Sequence, residues 1–424
     1  RVPRKLMLTP LAVLVGKALR FVLRLRGGGS AVPGRAALLI EPRFLQKTLG
    51  RMSSGIYFVS GSNGKSTTTA MLVKVLREHG LHVLSNPAGG NLPQGLASAL
   101  LADVNWRGRL QHDVAILEVD EAYGKLIAAK VAPNGLLLTN IQLDQLNRFH
   151  SPEEVFDYLD ELASLTTGLI VVNGTDANTE RLAKKHSHRL NAKGVYVSPK
   201  ALKSAAHGIL AAPDFNEDNS NLDVAATLVS AKGVGASIAL GDKPFAVKLP
   251  APGLHYAVDA ALAIALAREI LGVKFSQLTA SKAVSELPAV YGRGEIIEYQ
   301  GQKLEIIMMK NLPSLQANLD ALEKSPKYVW ISVDEGTPDP SWIYDIALGK
   351  IDHVDVISGT KTYQWATRLT YSGIKHGKLI ESESEALEYF LGLPGKEKTA
   401  IVNYEQMMWL RKKLGLLDLE GGNG

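Results

Sequence analysis

Between about Ala36 and Gly174, short apolar runs alternate with longer segments whose apolar positions recur at helical spacing. "GIYFVSG", "HDVAILEVD", "PNGLLLTNI" and "GLIVVNGTD" read as buried strands, and "STTTAMLVKVLREHG" as a helix ending at Gly80. That alternation predicts a doubly wound, mostly parallel α/β sheet. From about 190 to 250 the pattern breaks into short strands punctuated by Gly, Pro and Asn, and predicts a small β-rich insertion. "YAVDAALAIALAREILG" is strongly apolar, and its length and Ala content predict a helix buried against the main sheet. Beyond "LPAVYGRGEIIEY" a second strand–helix series begins, with "KLEIIMMKN", "YVWISVDE", "HVDVISG" and "KTAIVNY" as strands. Expected units are an N-terminal segment and linker over 1–35, a central domain over 36–290 and a C-terminal α/β domain over 291–424.

Charge changes the picture at one end only. Of the 47 basic residues, eight precede Glu41, whereas no acidic residue does, and the rest of the chain is slightly acidic. A general nucleic-acid surface is therefore not expected. The basic segment "LMLTPLAVLVGKALRFVLRLRGGG" is too short in its uncharged run to span a bilayer and lacks a cleavage pattern. It reads as an amphipathic helix with Lys17, Arg20 and Arg24 on one face, followed by a linker at 27–34. Two uses fit it: packing on its own domain, or contact with an anionic membrane. The chain has no cysteine, which excludes disulfides, thiolate metal sites and cysteine nucleophiles.

The chemistry concentrates at Gly61, Ser62, Asn63, Gly64, Lys65 and Ser66, between a buried strand and a helix start. Glycines let backbone pass close to phosphate, and the exposed N–H groups of the helix start bind its oxygens. Lys65 is placed to neutralise the β/γ-phosphates, with Ser66 or Thr67 offering a hydroxyl to Mg²⁺. The spacing is the short G-x-x-G-K-S, since Val59 stands where the longer motif begins. Glu118, Asp120 and Glu121 follow an apolar strand, where α/β sheets hold ligands; they either coordinate Mg²⁺, receive substrate or are solvated turn residues.

"SGSNGKSTTTAML", "LEVDEA" and "LTNIQLDQLNRF" resemble the Mur ligase family of ATP-dependent amide ligases. "GGGSAVPGRAALLIEPRFL", "GRGE", "MMKNLPSLQANL", "DPSWIYD", "SGTKTYQWATRLTYSGI" and "IVNYEQMMWLRKKL" resemble, within it, the MurT-type subunits of lipid II isoglutaminyl synthases. The resemblance implies a Mur ligase-like central domain with a phosphate-loop sheet and a C-terminal Rossmann-like domain. It implies ATP and Mg²⁺ as cofactors, and a heterodimer with a GatD-type glutaminase that supplies ammonia. The implied reaction phosphorylates the D-glutamate α-carboxylate of lipid II and replaces phosphate by ammonia, in peptidoglycan biosynthesis. The implied location is the cytoplasm, with the N-terminal helix as a candidate contact with the inner face of the membrane. Matched positions are Lys65 and Ser66 in the loop, Glu118 as magnesium ligand and Asp144 as a further one. Asn91 matches a position near the phosphates or substrate, and Arg293 and Asn311 match positions lining the nucleotide. Asp339 matches an aspartate that completes the partner's catalytic site, with Asp334 and Asp345 as rivals.

Several positions depart from the family. "KKHSHRLNAKG" stands where many relatives carry a four-cysteine zinc ribbon, so no zinc is expected and His186 and His188 are expected to be solvent-exposed. Gln145 replaces a histidine, and Tyr256 and Asp259 replace asparagines. Two other readings are a stand-alone Mur-type amino-acid ligase and a nucleotide-binding scaffold without turnover.

Overall fold

The computed structural model describes residues 8–25, 31–86, 92–142, 151–203, 207, 222–288, 293–337 and 340–416. Among these, two sheets form, each covered by helices on both faces. The first contains β1 (Ile56–Ser60), β2 (Val83–Ser85), β3 (Val114–Glu118), β4 (Gly135–Leu138), β5 (Leu169–Asn173), β6 (Asn191–Val197), β7 (Asp223–Lys232), β8 (Gly235–Leu240) and β9 (Lys243–Lys248). Their spatial order is β2-β3-β1-β4-β5-β6-β7-β8-β9. Pairing is parallel through β7, and β7, β8 and β9 close the edge as an antiparallel meander.

One face carries α1 (Leu8–Leu25), α2 (Val32–Ile40) and α3 (Phe44–Leu49); the other carries α4 (Lys65–Glu78). The first face continues with α5 (Pro93–Asp103), α6 (Gly124–Ala128), α7 (Pro152–Ser164) and α8 (Ala177–His186). A short α9 (Pro199–Leu202), then α10 (Leu254–Leu271) and α11 (Gln277–Ser285), join α4 on the opposite face. In α10 alanines alternate with large aliphatics; their small side chains let it lie close against α4, and nearly all of it is buried. Gly135 marks a similar close approach in the sheet, because a Cβ there would meet the Tyr57 ring at 2.6 Å.

The second sheet contains β10 (Arg293–Tyr299), β11 (Gln302–Met308), β12 (Val329–Ser332), β13 (His353–Ser358), β14 (Lys375–Leu379) and β15 (Glu397–Val402). Its order is β10-β11-β15-β12-β13-β14, parallel except for β10. α12 (Leu312–Ala321) and α13 (Thr362–Tyr371) cover one face; α14 (Glu383–Gly392) and α15 (Tyr404–Lys413) cover the other.

Three sequence expectations change here. Strands β6 to β9, anticipated as a separate insertion, extend the main sheet because β6 and β7 pair in parallel with their neighbours. The anticipated linker at 27–34 is helical from Val32, where Pro33 starts α2 with its φ already set. His186, expected at the surface, is buried: it ends α8 and its Nε2 lies 2.9 Å from Asp160 Oδ1 on α7, while Arg189 contacts its Nδ1. His188 is exposed.

Candidate active site

Strand β1 delivers the chain into the phosphate loop at Ser60, at the carboxyl end of the parallel sheet. Two glycines there are required by geometry. Gly61 has φ +125°, and a Cβ on it would sit 2.3 Å from Thr139 Oγ1. Gly64 has φ +84°, and a Cβ on it would sit 2.4 Å from Asp259 Oδ1. An L side chain is strained at both angles, so glycine is the residue that lets the loop close against its neighbours.

The loop is braced from the β4 end. Ser62 N donates to Asn140 O at 3.0 Å, and Gln142 N donates to Ser62 Oγ at 3.0 Å. Asn63 N donates to Asn140 Oδ1 at 2.9 Å, and Asn63 Nδ2 donates to Gln142 Oε1 at 2.7 Å. Asp176, buried at the start of α8, accepts from Ile141 N at 3.0 Å and from Thr179 N at 3.0 Å, which fixes the bracing segment itself.

A second brace comes from the C-terminal sheet. At the end of β11, Lys310 Nζ donates to Ser62 O at 3.0 Å. Asn311 Nδ2 donates to Asn63 Oδ1 at 3.2 Å, and Asn63 Nδ2 approaches Asn311 Oδ1 at 3.4 Å. Asn311 also caps α12, accepting from Ser314 N at 3.0 Å in a reciprocal capping box. One side chain thus starts a helix in one domain and touches the phosphate loop of the other. Between the domains lies a cavity lined by Asn63, Gly64, Asn140, His255, Asp259 and Lys310, among others. Tyr256 turns into the core and is buried, whereas His255 and Asp259, with the apolar Leu254 and Val258, line this cavity from α10.

Lys65 begins α4 and forms a buried ion pair with Glu121 Oε1 at 2.6 Å, while also donating to Gly61 O. Glu118 ends β3, in register with Val59 of the adjacent β1, two residues before Gly61. Among the described residues no hydrogen bond to that carboxylate is found, whereas its main chain is bonded both ways by the Asn86 amide. Asp120 does a different job, accepting from Ala122 N at 3.0 Å in the turn that leads into α6. Ser66 is partly exposed at the helix start and Thr67 is buried beneath it.

Asn91, Asp144, Gln145 and Asp339 lie outside the described residues, as does the side chain of Arg293, whose backbone opens β10 opposite Ile307. Asp334 is committed within its own domain: its Oδ1 accepts from Asn403 Nδ2 at 2.8 Å and its Oδ2 from Gln406 Nε2 at 3.2 Å. Asp345 is exposed at the end of a short 3₁₀ turn. Sequence reasoning missed Asn140, Gln142 and Lys310 as loop braces, and Glu121 as the partner of Lys65. Lys310 adjoins the singled-out Asn311, and Asn140 and Gln142 lie within the quoted "LTNIQ", so position along a strand end was the available signal.

The residues fit a nucleoside triphosphate with a divalent cation. The two glycines leave a cradle that a Cβ would fill, Lys65 supplies the cation, and Ser66 with Glu118 supplies the hard oxygen donors that Mg²⁺ takes. Fold and loop together are Mur ligase-like, and residues 59–267 match the Mur ligase middle domain. More particularly, over 96% of its length the chain is 25% identical to the lipid II isoglutaminyl synthase (glutamine-hydrolysing) subunit MurT of Streptococcus pneumoniae, covering 97% of that protein. Among solved structures it is similar to MurF from Acinetobacter baumannii, with TM-score 0.66 and 17% identity over 90% of this chain and 79% of that one. It is also similar to MurF ligase from Thermotoga maritima in complex with ADP, with TM-score 0.61 and 18% identity over 89% and 82% of the two chains.

Proposed function

We propose that the chain is the ATP-dependent ligase subunit that amidates the D-glutamate α-carboxylate of the lipid II stem peptide, using ammonia from a glutaminase partner. The observation that carries this reading is similarity to a MurT subunit across nearly both whole chains, joined to an intact Lys65–Ser66–Glu118 constellation at the phosphate loop.

A carboxylate is a poor electrophile. In the proposed reaction a carboxylate oxygen attacks the γ-phosphorus of ATP and ADP leaves, giving an acyl phosphate. Ammonia then attacks the acyl carbon, phosphate leaves with the C–O bonding pair, and the nitrogen gives up one proton to the departing phosphate. Ser66 and Glu118, with Asp144 at the position the family resemblance assigns, would hold Mg²⁺, which would supply neutralisation of phosphate charge. Lys65 leaves Glu121 to meet the β/γ-phosphates, so Glu121 is the residue that parks the lysine between turnovers. The loop N–H groups orient the phosphates, and charge stabilisation of this kind dominates phosphoryl transfer. Asn311 and Lys310 close the C-terminal domain on the loop, and closure excludes water from an acyl phosphate, a mixed anhydride that water would hydrolyse.

The partner reading rests on the S. pneumoniae relative, which is one subunit of a glutamine-hydrolysing synthase. The D-x-S-W resemblance assigns Asp339 to the glutaminase site, with Asp334, which accepts from Asn403 and Gln406, and the exposed Asp345 as rivals.

The test is an ADP-release assay with lipid II. Turnover with ammonium alone, and with glutamine only when the co-purified glutaminase is present, is expected. ADP release that instead requires a free amino acid and no partner would assign a stand-alone ligase, and ATP binding without turnover would assign a scaffold.

A further inference from the structure

Helix α1 is apolar on two sides. Its inner side, with Ala12 and Val13 buried and Gly16 against Leu101, packs on α2 and α5. Its outer side exposes Leu8, Leu11, Leu14, Ala18, Phe21 and Val22, with Leu14 68% and Phe21 66% accessible. These fall at the three- and four-residue intervals that make one continuous helical stripe. A surface helix ordinarily turns its polar side outward, so an outward stripe of this composition marks an interaction surface.

Two neighbours extend the stripe. On α2, Val32, Arg35 and Leu39 face outward, Leu39 being 74% exposed. The Val104–Leu110 loop lies against the start of α1, where a Cβ on Gly108 would meet Thr9 Cγ2 at 2.5 Å, and it presents Trp106, 65% exposed with the Arg107 guanidinium over its ring. Most of the charge at this face is basic, Asp103 at the end of α5 being an exposed acid beside the loop. Lys17 flanks the stripe, Arg35 on α2 and Arg107 beside Trp106 are exposed, and residues 1–40 contain no acid. The first acid, Glu41, is buried and held by Lys47 and Thr9. Among the described residues no helix is long and apolar enough to cross a membrane.

We propose that the outer face of α1 and α2, with Trp106 at its edge, docks flat on an anionic lipid bilayer. An apolar stripe bordered by cations and an amphipathic aromatic is what an interfacial helix presents to headgroups and the upper acyl region. The α1 stripe is held open because its inner side is already spent on α5: a Cβ on Gly16 would meet Leu101 Cδ1 at 2.5 Å, and Arg20 donates to Ser98 O at 2.6 Å. The docking deepens the lipid-linked reading and rests on it for its purpose, since it would hold the site at the surface where such a substrate resides.

The test is vesicle sedimentation of the full chain, with equal parts of phosphatidylglycerol and phosphatidylcholine set against phosphatidylcholine alone. Binding to the anionic vesicles, falling with salt and weak on the neutral ones, is expected. The exposed pair Leu14→Ser with Phe21→Ser should lower the partition at least about tenfold, and Lys17→Glu with Arg35→Glu about fivefold or more per charge. Melting temperature and oligomeric state are expected to stay unchanged in both. No vesicle binding by the parent chain, or equal binding by the variants, overturns the proposal. So does conversion of a dimer to a monomer by Leu14→Ser with Phe21→Ser, which would assign the face to a second copy, or loss of the co-purifying glutaminase, which would assign it to the partner. Detergent-dispersed lipid II separates the two readings: vesicle binding with no amidation of dispersed lipid II would sink the enzymatic reading alone, and amidation without vesicle binding the docking alone.

Discussion

Replacing Asn311 by aspartate and by alanine separates its two jobs. Alanine removes the α12 cap and both amide contacts with Asn63. A lost cap costs about 1 kcal/mol, which lowers the melting temperature of a domain of this size by a few degrees. Aspartate keeps the cap, because a carboxylate oxygen still accepts from Ser314 N. What it loses is the donor to Asn63 Oδ1, worth about 1 kcal/mol, and it places a negative charge next to the phosphate loop, worth roughly another 1 kcal/mol against bound phosphate in a solvated cleft. Together these predict about thirtyfold weaker ATP binding by Asn311→Asp with a near-parental melting temperature. Calorimetric titration with a non-hydrolysable ATP analogue, run beside thermal melts, measures both. A stable Asn311→Asp variant that binds nucleotide as tightly as the parent would refute the assignment of this interdomain pair to the nucleotide site.

Three further outcomes follow from single distances. Gly64→Ala combines φ +84° with a Cβ placed 2.4 Å from the Asp259 carboxylate, so nucleotide binding should be lost and stability should fall by more than about 1 kcal/mol, read by urea denaturation. Glu118→Gln should fold normally and lose at least about a hundredfold in kcat with ammonium as donor, checked by ADP release across a magnesium titration. At Asp160, burial raises the carboxyl pKa, but the hydrogen bonds from Lys185 and His186 outweigh it and hold the group below its ordinary value. Its folded-state pKa is therefore lower than its unfolded one, so the Asp160 contribution is present above about pH 4 and is lost as pH falls through the folded value. The stability gap between the parent and Asp160→Asn, from urea melts, should be widest near neutrality and shrink in acid.

How much of this was legible in the chain depended on whether the deciding contact is local. The phosphate loop was readable because its constraint is backbone conformation, and glycine at 61 and 64 records it directly. Parallel core strands such as β3 and β4 were readable because burial on both faces leaves an unbroken apolar run. Strand β14, "KHGKL", was not: it is an exposed edge strand, so nothing in its polarity separates it from a loop. Strand β2 is three residues long, too short for a period to register. The pairing of Lys65 with Glu121 and of Asn63 with Asn311 joins residues 56 and 248 positions apart, and only the folded sheet order brings them together. His186 failed for the same reason, since its burial depends on Asp160 of a different helix.

The central claim is that ammonia becomes an amide nitrogen on a lipid-linked stem peptide. The direct measurement is mass spectrometry of lipid II after incubation with the chain, ATP, magnesium and heavy-nitrogen ammonium. Heavy nitrogen in the α-amide of the D-glutamate residue, dependent on ATP and absent with Lys65→Ala, is the predicted result. ADP formed with no labelled nitrogen in the peptide, or label at any other carboxyl, would contradict it.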